Sequence, residues 1–255
     1  MLRPRNFVTL LLTATAILCA SYSISPVPVA VVYAQQQDSQ QLYKAAKSYY
    51  EAREYQKALD AIEELLKADS FYAPALLLKY KALVGLFTDE PPPPPPDRDS
   101  HNARLERRVR LAKLLNEAAD SLEKYLQLKP DATDAEYLRG QLNALRVYAE
   151  PAIKPESEWT FFSPTDVTEK AHILHRQEPQ YTEEARRAQV HGRVKLLALF
   201  ADDGTVKDIL VLQTLAHGLT EAAIKAARGT SFQPAIKDGR PVSTSIMLEY
   251  GFNLF

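Results

Sequence analysis

Residues 192–213 read GRVKLLALFADDGTVKDILVLQ, and this stretch decides the fold of the C-terminal part. Val194, Leu196, Ala198 and Phe200 recur at every second position, the period of a strand that buries one face. Asp202-Asp203-Gly204 predicts a hairpin turn, because Asp tolerates the left-handed backbone region and Gly favours it. Ile209, Val211 and Gln213 carry the returning strand, with Leu210 and Leu212 on its other face.

Downstream, a helix follows. Thr220 has the chemistry of an N-cap, and Leu219 and Ile224 stand at staple spacing. Leu219, Ala222, Ala223, Ala226 and Ala227 form a narrow apolar stripe that Gly229 ends. Asp238-Gly239 predicts a second turn. Val242, Thr244, Ile246, Leu248, Tyr250, Phe252 and Leu254 then alternate as one long last strand. The order strand, strand, helix, strand predicts a small α+β domain. It is a three-stranded antiparallel sheet, with the first strand central, the last at an edge, and one main helix on one face. Such a narrow stripe covers one face only, so the second face needs other cover.

Glycine marks where this part begins. Only Gly85 and Gly140 precede residue 150, and the other six lie at 192 and beyond. Glycine is disfavoured in helices and common in turns, so the first half reads as helical. Pro151 and Pro155 stand at the changeover. Leu42, Ala45, Ala46 and Tyr49 share one helical face, and Ala58, Ile62 and Leu65 the next. Arg53-Glu54 and Ser70-Phe71 read as short turns. This segment resembles the tetratricopeptide repeat. Ala46 and Ala58 take its small positions and Tyr49 its aromatic one, while Ser70 stands where proline is usual. Ala118, Leu122, Tyr125 and Pro130 repeat the pattern. Between the two matches lies an insert, 89–101, holding six prolines from Pro91 to Pro96. At about 3.1 Å per residue they reach roughly 20 Å, the length of a stiff exposed loop. A capping helix is expected over 133–149. The alternative is a plain helical bundle. Repeats of this kind imply a second protein as ligand.

The N-terminus reads as a targeting signal. Arg3 and Arg5 precede an apolar run, Phe7 to Ala20, without a charged side chain. Val32 and Ala34 fit a signal-peptidase site before Gln35, and Pro26 and Pro28 break the helix ahead of it. An uncleaved membrane anchor is the alternative. The single cysteine, Cys19, lies in this run, and Leu18 before it does not suit lipidation. Cleavage leaves a chain with no disulfide or thiol chemistry. The charge balance, 31 Lys+Arg against 32 Asp+Glu, gives no basic surplus for nucleic acid.

Six short motifs together carry a resemblance. They are Tyr181-Thr182-Glu183-Glu184-Ala185-Arg186, Gly192-x-Val194, Asp203-Gly204-x-Val206, Gly218-Leu219-x-x-Ala222-Ala223, Phe232-x-Pro234-Ala235 and Asp238-Gly239-x-Pro241-Val242. In this order they resemble the TonB C-terminal domain. Thr182 replaces the Pro that commonly follows the Tyr, and Pro179 partly supplies the same extended entry. The resemblance implies peptide recognition in the cell envelope of a Gram-negative bacterium. A segment of an outer-membrane transporter would add as a strand to the sheet edge. Carried over by position, the partner-binding residues are Tyr181, Ala185 and Arg186 at the helix start and Val242, Thr244, Ile246, Leu248, Tyr250 and Phe252 along the edge. For Tyr250 and Phe252 side chains, packing in the core is the simpler role. The same edge offers a route to a homodimer, the mark of a self-associating or cell-wall-binding scaffold. An energy transducer of this family also uses an anchor with Ser-x-x-x-His and a long Pro/Lys/Glu spacer. Here no His precedes His101, and helices stand in the spacer's place.

Enzyme signatures are missing. The chain has no G-x-S-x-G, no Gly-rich phosphate loop, no H-E-x-x-H and no Cys cluster. His172 and His175, with Glu169, are spaced for one face of an expected helix but read as a solvated surface rather than a metal site. Trp159, Phe161 and Phe162 read as an apolar patch joining linker to domain. No catalytic residue, metal or cofactor is expected. The sequence thus predicts a multi-domain chain: a signal peptide or anchor over 1–34, an all-α helical repeat domain over 35–150, a linker over 151–178, and the α+β domain over 179–255.

Overall fold

The computed structural model describes residues 29–91, 101–150 and 158–254. Most of the expected export signal, most of the proline run and residues 151–157 lie outside them. Among the described residues no helix is long and apolar enough to cross a membrane. The chain divides into two compact units, residues 1–41 and 42–255.

Among the described residues, five helices come first: α1 (Val29–Glu51), α2 (Tyr55–Ala68), α3 (Ala73–Asp89), α4 (His101–Leu128) and α5 (Ala135–Ala149). The turns expected at Arg53 and Ser70 are where the chain reverses, and Arg53 takes a left-handed φ of 60°. From α2 onward each helix packs on the next. Ala58, Ile62 and Leu65 are buried as predicted. The α1 stripe is rotated from the expected one: Leu42, Tyr43, Ala46 and Tyr50 face the core, while Ala45 and Tyr49 are exposed. With tyrosines at both 49 and 50, the 3.6 period alone does not choose between them. Tyr50 packs on Tyr55 at 5.7 Å between ring centroids. Helix α3 is buried on most sides. A Cβ on its Gly85 would sit 2.5 Å from the Tyr55 ring, so the close approach of α2 needs glycine there.

The C-terminal elements are β1 (His172–His175), α6 (Glu183–Arg187), β2 (Gly192–Phe200), β3 (Val206–Gln213), α7 (Leu219–Arg228), β4 (Ser231–Gln233), β5 (Ala235–Lys237), β6 (Arg240–Val242) and β7 (Thr244–Phe252). The main sheet is three-stranded and antiparallel in the order β3-β2-β7, as the sequence predicts. Gly204, at φ 80°, turns the β2–β3 hairpin.

Three local expectations are corrected. The long last strand is two strands. Asp238 and Gly239, both at positive φ, form a tight turn that pairs Ala235 with Val242, so Val242 belongs to β6 and β7 starts at Thr244. Helix α7 is entered through Gly218 at φ 78°, not capped by Thr220. The Thr220 hydroxyl instead donates to the Leu215 carbonyl at 2.7 Å and accepts its N–H at 2.9 Å. His172 and His175 lie on strand β1, not on a helix, and pair opposite Gln233 and Ser231 of β4. Strand spacing removes the shared helical face that the metal argument needed.

Each face of the main sheet has its own core. Leu196, Phe200, Val211 and Leu248 face α7, whose Leu219, Ala223, Ala226 and Ala227 are buried. On the opposite face Leu199, Leu210 and Leu212 pack with Leu145 and Tyr148 of α5. The missing second cover is thus the last helix of the N-terminal half. Tyr148 also meets Phe161 edge-on at 5.4 Å.

Candidate strand-addition edge

A three-stranded sheet has two edges, and each presents unpaired backbone groups. The β3 edge is capped from within at Ile209–Val211. Gln141 of α5, which is buried, donates its Nε2 to the Ile209 carbonyl at 3.1 Å, and its Oε1 accepts the Val211 N–H at 2.8 Å. Asn143, two residues on, donates to Asp208 at 2.8 Å.

The β7 edge is different. Ser245 N–H donates outward to Phe162, and the Glu249 carbonyl accepts outward from Arg176. In an antiparallel pair every second residue faces the neighbouring strand, so Ser245, Met247, Glu249 and Gly251 direct their backbone groups away from β2. Thr244, Ile246, Leu248, Tyr250 and Phe252 direct theirs to β2, where they stand opposite Phe200, Ala198, Leu196, Val194 and Gly192. The outward residues also have side chains on the face that α5 leaves uncovered beside β7: Met247 is 56% exposed, and Glu249 pairs with Arg193 at 2.5 Å.

The nine residues predicted from position therefore divide. Thr244, Leu248, Tyr250 and Phe252 are buried and Ile246 is half-buried, so the even-numbered residues of β7 build the core and the ladder to β2. Val242 pairs within its own hairpin. Ala185 of α6 is fully buried. Tyr181 is half-buried; its hydroxyl donates to the Val190 carbonyl, and its ring meets Phe252 edge-on at 5.8 Å. Arg186 is exposed, with its guanidinium 5.6 Å from the Tyr181 ring. Thr182 accepts the Ala185 N–H at 3.2 Å and caps α6, which explains how it serves in place of proline.

Sequence reasoning missed the outward phase of β7 and two side elements. Arg176 lays its guanidinium 4.3 Å over the Tyr250 ring and donates to the Glu249 carbonyl. Phe162 bridges to Thr244. A signal for the first point stood in the sequence: among Ser245, Met247, Glu249 and Gly251, Met247 is the one large apolar residue on an otherwise polar phase. Among the described residues no group of three or more His, Cys, Asp or Glu is placed to hold a metal.

Residues 177–254 match the family model for the Gram-negative bacterial TonB protein C-terminal. A similar solved structure is the solution NMR structure of the Pseudomonas aeruginosa TonB CTD. It is 24% identical, and the similarity covers 34% of this chain and 90% of that one at a TM-score of 0.28. No curated protein matches the chain. The family match falls within the C-terminal segment, beyond the five helices.

Proposed function

We propose that this chain is a non-enzymatic envelope protein of a Gram-negative bacterium that takes an extended peptide as an added strand on the β7 edge. The favoured peptide is a periplasm-facing segment of an outer-membrane transporter, which fits the family matched by residues 177–254. One observation supports the reading. Gln141 occupies the Ile209–Val211 stretch of the β3 edge, whereas Met247 and Gly251 direct their backbone groups outward from β7. Residues 35–150 then act as a scaffold of tetratricopeptide-like repeats holding a second protein, and 179–255 as the peptide reader. Mechanically, backbone pairing supplies the affinity. Met247, exposed on the uncovered face, supplies an apolar contact for alternate residues of the added strand.

The test is pulldown with synthetic periplasm-facing transporter peptides, comparing the natural chain with Met247→Pro. Met247 N–H points outward, so proline there removes a donor from the edge while leaving the ladder to β2. Expected is peptide retention by the natural chain and loss with Met247→Pro. Equal retention by both sinks the reading. Sedimentation of the same proteins covers the homodimer alternative: a concentration-dependent dimer lost with Met247→Pro assigns the edge to a second copy. Coupling to the proton gradient needs the anchor alternative for residues 1–34, and N-terminal sequencing of the mature protein decides it. A start at Gln35 removes that role.

A further inference from the structure

Phe162 already does, from within the chain, what a partner strand would do from outside. Its N–H donates to the Ser243 carbonyl at 2.9 Å, and its carbonyl accepts the Ser245 N–H at 3.1 Å and the Thr244 hydroxyl at 3.0 Å. The bridge is parallel to β7 and occupies the end of the edge where β7 begins.

The residues around Phe162 tie it to the helical half. Phe161 is buried against Tyr148 of α5. The Arg108 guanidinium of α4 lies 3.6 Å over the Trp159 ring, and Trp159 packs on Phe162 at 5.8 Å. Asp166 receives both Arg104 and Arg108 of α4, the latter at 3.0 Å, and all three side chains are largely shielded. Lys237 of β5 donates to the Asp166 carbonyl at 3.2 Å.

We propose that residues 159–166 form a strap that closes the Ser243–Ser245 end of the β7 edge and is released when Asp166 parts from Arg104 and Arg108 of α4. While closed, the strap limits an added strand to the Met247–Gly251 portion; open, it exposes the whole edge. Helix α4, through one carboxylate, thereby sets the length of partner the sheet accepts. This rests on the strand-addition reading for its purpose but not for its geometry. Two features favour release here. Phe162 ties the strap by hydrogen bonds to Ser243, Thr244 and Ser245, at the very start of β7. The ion pairs that hold it to α4 converge on one carboxylate, so a single side chain controls them.

The test is amide hydrogen exchange of the full chain, read at Ser245 and across β2, for the natural protein, Asp166→Arg and Asp166→Asn. Asp166→Arg sets three cations against one another, while Asp166→Asn keeps the side chain's shape. Expected is Ser245 exchange faster by about tenfold or more in Asp166→Arg, and by less in Asp166→Asn, with β2 amides unchanged within about twofold. Ser245 unchanged in both variants overturns the strap, as does an equal rise of Ser245 and β2 in both. Binding of the transporter peptides to the same proteins separates the two ideas. Faster Ser245 exchange with no peptide bound by any protein keeps the strap and removes the strand-addition reading. Peptide bound equally by all three, with Ser245 exchange unchanged, does the reverse.

Discussion

The two edges of the main sheet solve one problem in opposite ways. On β3, Gln141 presents one donor and one acceptor, as the peptide unit of a neighbouring strand would. It stands on a helix packed against the same sheet, so core packing holds the amide in place. On β7 the closure is partial and borrowed: the backbone of Phe162 at one end and the long side chain of Arg176 farther along. A rigid helix seals an edge; a strap and a flexible guanidinium leave it available. The difference shows that the helical half does more than sit beside the sheet. It covers one face, removes one edge from use and anchors the strap on the other.

The most severe way to break this contrast is Gln141→Leu. It leaves the Ile209 carbonyl and the Val211 N–H without a partner in a buried site, at roughly 1–3 kcal/mol for each group. Urea unfolding should show a loss on that scale, and a loss under about 0.5 kcal/mol would mean that water replaces the amide readily.

A pair of proline substitutions sharpens the same contrast. Val211→Pro removes the donor to Gln141 and should cost roughly 2–3 kcal/mol. Met247→Pro removes an outward donor at an exposed site and should cost about 1 kcal/mol or less. Equal losses for the two would erase the distinction between a sealed and an open edge.

The hairpin that joins β2 to β3 gives a pH test. Lys207 and then the Thr205 hydroxyl and N–H hold the Asp203 carboxyl down to about 2. A depressed carboxyl stabilises the fold above its ordinary pKa, near 4, and that contribution is lost as pH falls through about 2. Asp203→Asn should therefore flatten the stability–pH curve between those values and change little at pH 7 beyond the loss of an exposed ion pair. A curve with unchanged slope would show that the pairing does not persist in solution.

The smallest effects belong to two tyrosines. Among the described residues, the Tyr148 hydroxyl on the α5 side and the Tyr250 hydroxyl under β7 are buried without a hydrogen-bond partner. Tyr148→Phe and Tyr250→Phe should each be neutral or stabilising by up to about 1 kcal/mol in thermal melts. A clear destabilisation at either would reveal a partner bound to that hydroxyl.

Much of this was legible in residue order. The alternation of Val194 to Phe200, the Asp203-Gly204 turn and the Leu219–Ala227 stripe placed the central strand, the hairpin and the main helix. The apolar pair Leu210 and Leu212 announced a second buried face without saying what would cover it. Elsewhere the sequence misled. Val242 continues the alternation of β7, yet the positive φ of Asp238 and Gly239 folds it back onto Ala235. Position in the resembling family offers Ile246, Leu248 and Tyr250 as edge residues; in the structure their side chains lie in the core phase of β7, and the residues between them direct their backbone groups outward.

By itself, then, the sequence determined the elements: helices before residue 150, a hairpin, a covering helix and a final strand. Local periodicity and turn chemistry suffice for these, since they depend on neighbours a few positions apart. Only the tertiary structure decided which edge is open. That choice rests on pairings between distant residues: Gln141 with Val211, Phe162 with Ser243, Asp166 with Arg108. Hydrogen bonds and ion pairs of this kind leave no periodic trace in the chain. A glutamine on α5 looks like any other polar residue until the sheet edge arrives beside it.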